Sequence, residues 1–193
     1  MIIIRCYKKD EFAALKCYES MVRVGLNDKF YFHYDNELGQ PTLINQTGVE
    51  IINREPCGNF GGLLFVKRMM DDLKKIPKPN EEEFVIYSDA DVEFNLNPFD
   101  FIDSTIDHAG YYGDAHVKEG IPHVSGQCNI IKGWLWNKYI AEGEEAIDRC
   151  FDILQGSEAG CADDTLFSIY SHINNAKQKS FYNTNCWVHP VNK

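Results

Sequence analysis

Apolar residues along this chain fall either into short unbroken runs or into stripes at helical spacing. Ile2 to Tyr7 is a run of the first kind and predicts a buried strand, after which Phe12, Leu15, Tyr18 and Val22 recur at helical spacing until Gly25. Phe30-Tyr31-Phe32-His33-Tyr34 predicts a second strand, closed by Asp35-Asn36, so the chain opens as a βαβ unit. From Glu37 to Asn59 the pattern is mixed, with turn residues at Gly39-Gln40-Pro41 and a short strand at Val49 to Ile52. Leu63, Val66, Met70 and Leu73 mark an amphipathic helix that stops before Pro77-Lys78-Pro79. Lys67 and Arg68 fall near its middle, where at least one of them faces water.

The strongest run is Phe84-Val85-Ile86-Tyr87, which follows three glutamates and leads into Ser88-Asp89-Ala90-Asp91. A short, wholly apolar run of this kind reads as a central strand buried on both faces. Beyond it, Asn97-Pro98 breaks the chain, a short helix is expected from Pro98 to Ile102, and His108 to Tyr112 forms another strand. Val124 to Ile131 reads as a small-residue loop running into a strand, in which Gly126 permits close approach of a ligand or of backbone. Ile147, Cys150, Phe151 and Leu154 give a further amphipathic helix ended by Gly156. Ala162-Asp163-Asp164 precedes one more, with Leu166, Phe167, Tyr170 and Ile173 toward the core. There is no internal repeat and no low-complexity linker. The succession implies an α/β fold, a mostly parallel central sheet flanked by helices, in one domain over 1–193.

Composition agrees with a folded chain: of 193 residues, 44% are hydrophobic and 13% aromatic. The formal net charge of -10 argues against a nucleic-acid binder, whose affinity comes from clustered Lys and Arg. The seven cysteines contain no Cys-x-x-Cys pair, which indicates buried thiols in a reducing compartment rather than a zinc cluster or disulfide framework. The opening Met1-Ile2-Ile3-Ile4-Arg5 lacks the basic region of a signal peptide, and no run approaches transmembrane length, so a cytoplasmic protein is expected. Asn45-Gln46-Thr47 then matches a glycosylation sequon by chance.

The candidate chemistry lies at Asp89 and Asp91. In an open α/β sheet the carboxyl ends of the strands open into the crevice where ligands bind. Two carboxylates there, one residue apart, are hard oxygen ligands suited to a divalent cation that keeps positions free for phosphate oxygens. An acidic protein binding an anionic diphosphate needs local positive charge, which such a cation supplies. The same aspartates also suit a turn or the cap of a following helix.

A strand ending in Asp-x-Asp, then the Ser125-Gly126 segment, the acidic pair Asp163-Asp164 opening a helix, and the late His189 follow one another in an order that resembles the GT-A-fold nucleotide-diphospho-sugar glycosyltransferases. The resemblance implies a Rossmann-like GT-A domain and a metal site at Asp89 and Asp91 completed by His189, an imidazole favouring Mn²⁺ over Mg²⁺. It implies a nucleotide base against the ends of the first two strands, at Arg5, Cys6, Tyr7 and Asp35, with Ser125, Gly126 and Gln127 near the donor sugar. Lys193 is implied at the diphosphate, and Arg68 and Ser88 join the expected donor-binding set. Asp163 and Asp164 are the expected catalytic carboxylates, Asp164 as general base, although an aspartate at a helix start also serves as a cap. The expected partner is a nucleotide-diphospho-sugar, a UDP-sugar first, with an undetermined glycan, lipid or protein acceptor. Asp89-Ala90-Asp91-Val92 also resembles the nucleophile motif of haloacid dehalogenase-like phosphatases, with Asp89 attacking phosphate. A relative that binds a nucleotide sugar or glycan without turnover is the third reading.

Overall fold

The computed structural model describes residues 1–36, 38–54, 63–112, 124–154, 163–181 and 184–188. Seven strands form one sheet in the order β3-β2-β1-β4-β7-β6-β8: β1 (Ile2–Tyr7), β2 (Phe30–Asp35), β3 (Glu50–Arg54), β4 (Phe84–Asp89), β6 (His108–Tyr112), β7 (Val124–Lys132) and β8 (Gln178–Ser180). The pairs β3-β2, β2-β1, β1-β4 and β6-β8 are parallel, whereas β7 runs antiparallel to both β4 and β6. A two-stranded ribbon pairs β5 (Glu93–Phe94) with β9 (Trp187–Val188). The mostly parallel α/β sheet flanked by helices is therefore the one that the apolar runs imply.

The two faces of the sheet carry separate cores. Ile2, Ile4, Cys6, Phe32, Tyr34, Ile86, Cys128 and Ile130 point to the side covered by α1 (Glu11–Arg23). Ile3, Tyr31, Val85, Tyr87 and Ile131 point to the other, under α2 (Leu63–Leu73), α3 (Gly133–Glu142), α4 (Glu144–Leu154) and α5 (Asp163–Ile173). Strict alternation of this kind follows from the period of two in a strand, and covering both faces is what lets consecutive strand positions be apolar. Among the described residues no helix is long and apolar enough to cross a membrane.

Four local expectations need correction. The inner face of α1 is centred on Ala14, Cys17 and Met21; of the stripe from Phe12 to Val22, Leu15 and Tyr18 pack against the edge of that core, while Phe12 is 63% exposed and Val22 40%. Small residues face the sheet, and two polar ones are satisfied inside. Glu11 accepts backbone N–H bonds from Thr42, Leu43 and Ile44, and Ser20 Oγ accepts from Phe94 N at 2.9 Å. Ile173, on the last turn of α5, is exposed rather than core. The expected loop at Val124 is strand throughout: β4 pairs with it from Cys128 onward, and β6 carries the pairing out to Val124 opposite Tyr112. The helix after Pro98 is only a single turn, Pro98–Asp100.

A buried polar triad joins the sheet to α5. His108 on β6 places Nε2 2.9 Å from Asn129 Oδ1 and Nδ1 2.9 Å from Ser171 Oγ; a neutral ring donates through Nε2 and accepts the Ser171 hydroxyl at Nδ1, while the Phe167 carbonyl lies 2.8 Å from the same Oγ. Burial pushes the imidazole down to about 4, with the Asn129 bond opposing. Because the folded value lies below the unfolded one near 6.5, the unfolded chain takes up the proton first as pH falls. This contribution is complete above about pH 6.5 and declines toward pH 4, where it amounts to a loss of about 3 kcal/mol. Urea unfolding at stepped pH should show the slope, and His108→Gln should flatten it between pH 6.5 and 4.5. An equal slope in the variant would remove His108 as its source.

Candidate functional site

The strand order places the switch point of the sheet between β1 and β4: the chain leaves β1 toward β2 and β3, then returns to β4 on the other side. Ligand crevices in open α/β sheets form at this point, outside the carboxyl ends of the strands. Tyr7 ends β1 here and Asp89 ends β4, with Ala90 and Asp91 turning away from it.

Three further segments reach the same edge. Because Ser88 pairs with Cys128 in the antiparallel β4-β7 ladder, the first residues of β7, including Ser125, Gly126 and Gln127, continue past it toward the Asp89 end. Helix α5 meets His108 through Ser171 and Tyr87 through Phe167, at a ring-centroid distance of 6.4 Å. His108 lies level with Ile131, so the helix runs against the direction of β4, and one turn before Phe167 its start at Asp163 comes to the level of Asp89. Finally, Val188 on β9 pairs with Glu93, two residues past Asp91. His189 follows Val188 directly, and both His189 and Lys193 lie outside the described residues. So do the side chains of Arg68, Ser125, Gln127, Asp163 and Asp164.

Register sets the charges on the α2 side of this edge. Asp89, Arg5 and His33 are partners in one row across β4, β1 and β2, and Tyr7, Asp35 and Arg54 are partners in the next across β1, β2 and β3. Two residues earlier the same face holds Ile3, Tyr31 and Tyr87, so it changes from apolar to ionic at its carboxyl end. Arg5 donates to Asp89 Oδ1 through Nε at 2.9 Å and through Nη2, and its guanidinium carbon stands 5.8 Å from the centre of the Tyr87 ring. Arg54 pairs with Asp35, both buried. His33 is buried with Nε2 3.5 Å from Asp72 Oδ2 of α2, and among the described residues no partner reaches its Nδ1. Burial holds this imidazole below its ordinary value, against Asp72 and with help from Arg54 and Arg5. Burial also pushes the Asp72 carboxyl up, but bonds from His33 and Lys75 outweigh it and leave the group below its usual range.

The other expected residues are distributed around this row. Tyr7 shares a side-chain hydrogen bond with Asp10, and burial, then Asp10, raises its phenol. Burial also raises the Asp10 carboxyl; the Tyr7 bond and Lys9 oppose this, while the charge of Asp91 adds to it. Asp10 thus belongs to the same acidic edge as Asp91. Lys8-Lys9-Asp10 carries no motif in the sequence, and the one signal of Asp10 there is its position just beyond the first strand. Ser88 turns to the opposite face, where its hydroxyl donates to the Asp89 carbonyl at 3.1 Å and lies 3.9 Å from Cys17 Sγ.

Among the described residues no three His, Cys, Asp or Glu side chains gather into a ready-made metal cage. The donor set at Asp89 and Asp91 is one of hard oxygens at a crevice, which fits a cation held by one or two carboxylates and completed by phosphate oxygens and water.

No protein-family model matches the sequence, and no curated protein matches it. Among solved structures the chain is similar to the galactosyltransferase LgtC, crystallised in complex with donor and acceptor sugar analogs. The TM-score is 0.56 at 11% identity, over 87% of this chain and 69% of LgtC. It is also similar to the glycosyltransferase GlyE of Streptococcus pneumoniae TIGR4, with a TM-score of 0.51 at 14% identity over 94% of this chain and 45% of GlyE. At these identities the likeness is one of fold, and the fold is a GT-A-like glycosyltransferase fold.

Proposed function

We propose that the chain transfers a sugar from a nucleotide-diphospho-sugar, a UDP-sugar in the first instance, to a glycan, lipid or protein acceptor. The observation that carries this reading is the convergence, at the switch point of a GT-A-like sheet, of the ends of β1 and β4, the start of β7, the start of α5 and the strand that leads to His189. Asp89 and Asp91 hold the diphosphate through a divalent cation, Mn²⁺ or Mg²⁺, with His189 as a further ligand and Lys193 at the phosphates. That cation, when bound, acts as a Lewis acid on the leaving diphosphate.

The remaining roles fall to the chain. Tyr7 and Asp35 border the nucleotide base, Arg68, Ser125, Gly126 and Gln127 the donor, and Ser88 braces the Asp89 turn from beneath. In an inverting reaction Asp164 takes the acceptor hydroxyl proton as the glycosidic bond forms, while Asp163 caps α5. The phosphatase reading is disfavoured because its motif ends the first strand of its fold, whereas Asp89 ends β4. The buried thiols of Cys6, Cys17, Cys128, Cys150 and Cys186 support a reducing, cytoplasmic setting.

Calorimetric titration with UDP, GDP, CMP and their sugars, with and without Mn²⁺, tests the reading. One nucleotide diphosphate should bind with Mn²⁺ and lose ~10²-fold in affinity in EDTA, the scale of several kcal/mol for a cation at phosphate. Undiminished affinity in EDTA would overturn the metal assignment.

A further inference from the structure

Two ion pairs lie on the α2 side of the carboxyl edge, and they differ in one respect that matters. Asp35 and Arg54 each expose only 4% of their side chains, so separating them strands two charges in the interior. Arg5 and Asp89 expose 20% and 27%, so each is solvated when the pair opens, and opening costs little. Asp89 is also the first carboxylate of the site proposed above. A carboxylate oxygen that accepts two guanidinium N–H groups is not available to a cation on the same terms.

Resting on that reading, we propose that Arg5 is a counter-ion exchanged at the site: its guanidinium holds Asp89 while no cation is bound, and turns to the donor diphosphate when a cation takes the carboxylate. Three features support the exchange. The guanidinium already lies beside the Tyr87 ring, which offers it a cation–π contact after Asp89 is given up. Its planar fork matches two phosphate oxygens as it matches a carboxylate. The surrounding edge, with Asp10 and Asp91, is acidic, so the diphosphate needs every cation within reach. Because Arg5 and the cation compete for Asp89 yet both favour diphosphate, Arg5 weakens cation binding in the absence of nucleotide and strengthens nucleotide binding in the presence of the cation.

The test is Mn²⁺ titration of the nucleotide-free chain, followed by UDP titration at saturating Mn²⁺, for the parent, Arg5→Gln and Arg5→Lys. Arg5→Gln should bind Mn²⁺ ~3- to 10-fold more tightly and UDP ~10-fold more weakly, the scale of a partly exposed charge-assisted bond. Arg5→Lys keeps the charge without the fork, and should shift both affinities the same way by a smaller factor; it decides the matter if Arg5→Gln does not fold. Opposite signs are the signature, since a damaged fold weakens both. A parent that binds UDP with Mn²⁺ beside variants whose Mn²⁺ affinity is unchanged or weaker overturns the exchange and leaves the functional reading standing. A parent that binds neither overturns both.

Discussion

Asp91→Asn should lose donor affinity and sugar transfer together, whereas Asp164→Asn should keep near-parental donor affinity and lose ~10²- to 10⁴-fold in turnover. The difference follows from where each carboxylate acts. A group that anchors the diphosphate serves the bound donor and the transition state alike, so its loss is felt in both. A general base acts only as the acceptor hydroxyl gives up its proton, so its loss leaves binding intact. Asp91 lies in the turn directly after β4, two residues past the Asp89 with which it is proposed to hold the cation. Asp164 lies in the first turn of α5, whose start comes level with Asp89 on the α2 side. Transfer, or donor hydrolysis if no acceptor is known, is measured beside calorimetric affinity for the same variants. Parental turnover in Asp164→Asn makes the residue a helix cap and leaves either a base elsewhere or a retaining reaction that needs none.

The largest loss of stability is expected from one methyl group far from the site. Gly133 opens α3, and a Cβ there would lie 1.9 Å from the Asn80 carbonyl oxygen and 2.9 Å from its carbon. Both neighbours are backbone, so no rotamer relieves the clash. Relief requires moving the start of α3 away from 80–83, which breaks Gly133 N to Glu83 O at 2.6 Å and Trp134 N to Glu81 O at 3.0 Å. It also withdraws Leu135, Trp136, Tyr139 and Ile140 from the core. Gly133→Ala should cost about 4 kcal/mol or more, a large share of the 5–15 kcal/mol typical of a domain. Urea midpoints measure it. A variant within about 1 kcal/mol of the parent would show that the turn yields easily.

The strands β1, β2 and β4 were legible because each opens on three or more consecutive apolar residues, and burial on both faces leaves that mark in the sequence itself. Helix α3 was not, since Gly133 reads as a breaker until Asn80 is seen against it. The start of β7 was not either, since Ser125 and Gly126 look like loop, and only the pairing of Val124 with Tyr112 of β6 carries the strand that far. In the site, two carboxylates at the end of an apolar run announced themselves at Asp89 and Asp91. The Arg5–Asp89 pair did not, because it joins positions 84 apart through a register that parallel pairing sets in space. Asp35, expected at the nucleotide base, is met in the structure by Arg54, and its neighbour in sequence says nothing of that partner.

The ribbon of β5 and β9 gives the site a late place in the order of assembly. Glu93 and Phe94 wait for Val188 and Trp187, a pairing of high contact order, while β1 to β4 can associate from the first half of the chain. On a ribosome the sheet can therefore gather well before the segment leading to His189 has been made. A partly synthesised chain then presents the Asp89 edge without its closing ribbon, with Phe94 lacking the Trp187 ring that packs 5.5 Å from it. The Asp89 edge is in this sense closed by a pairing that forms only after residues 187–188 have been made.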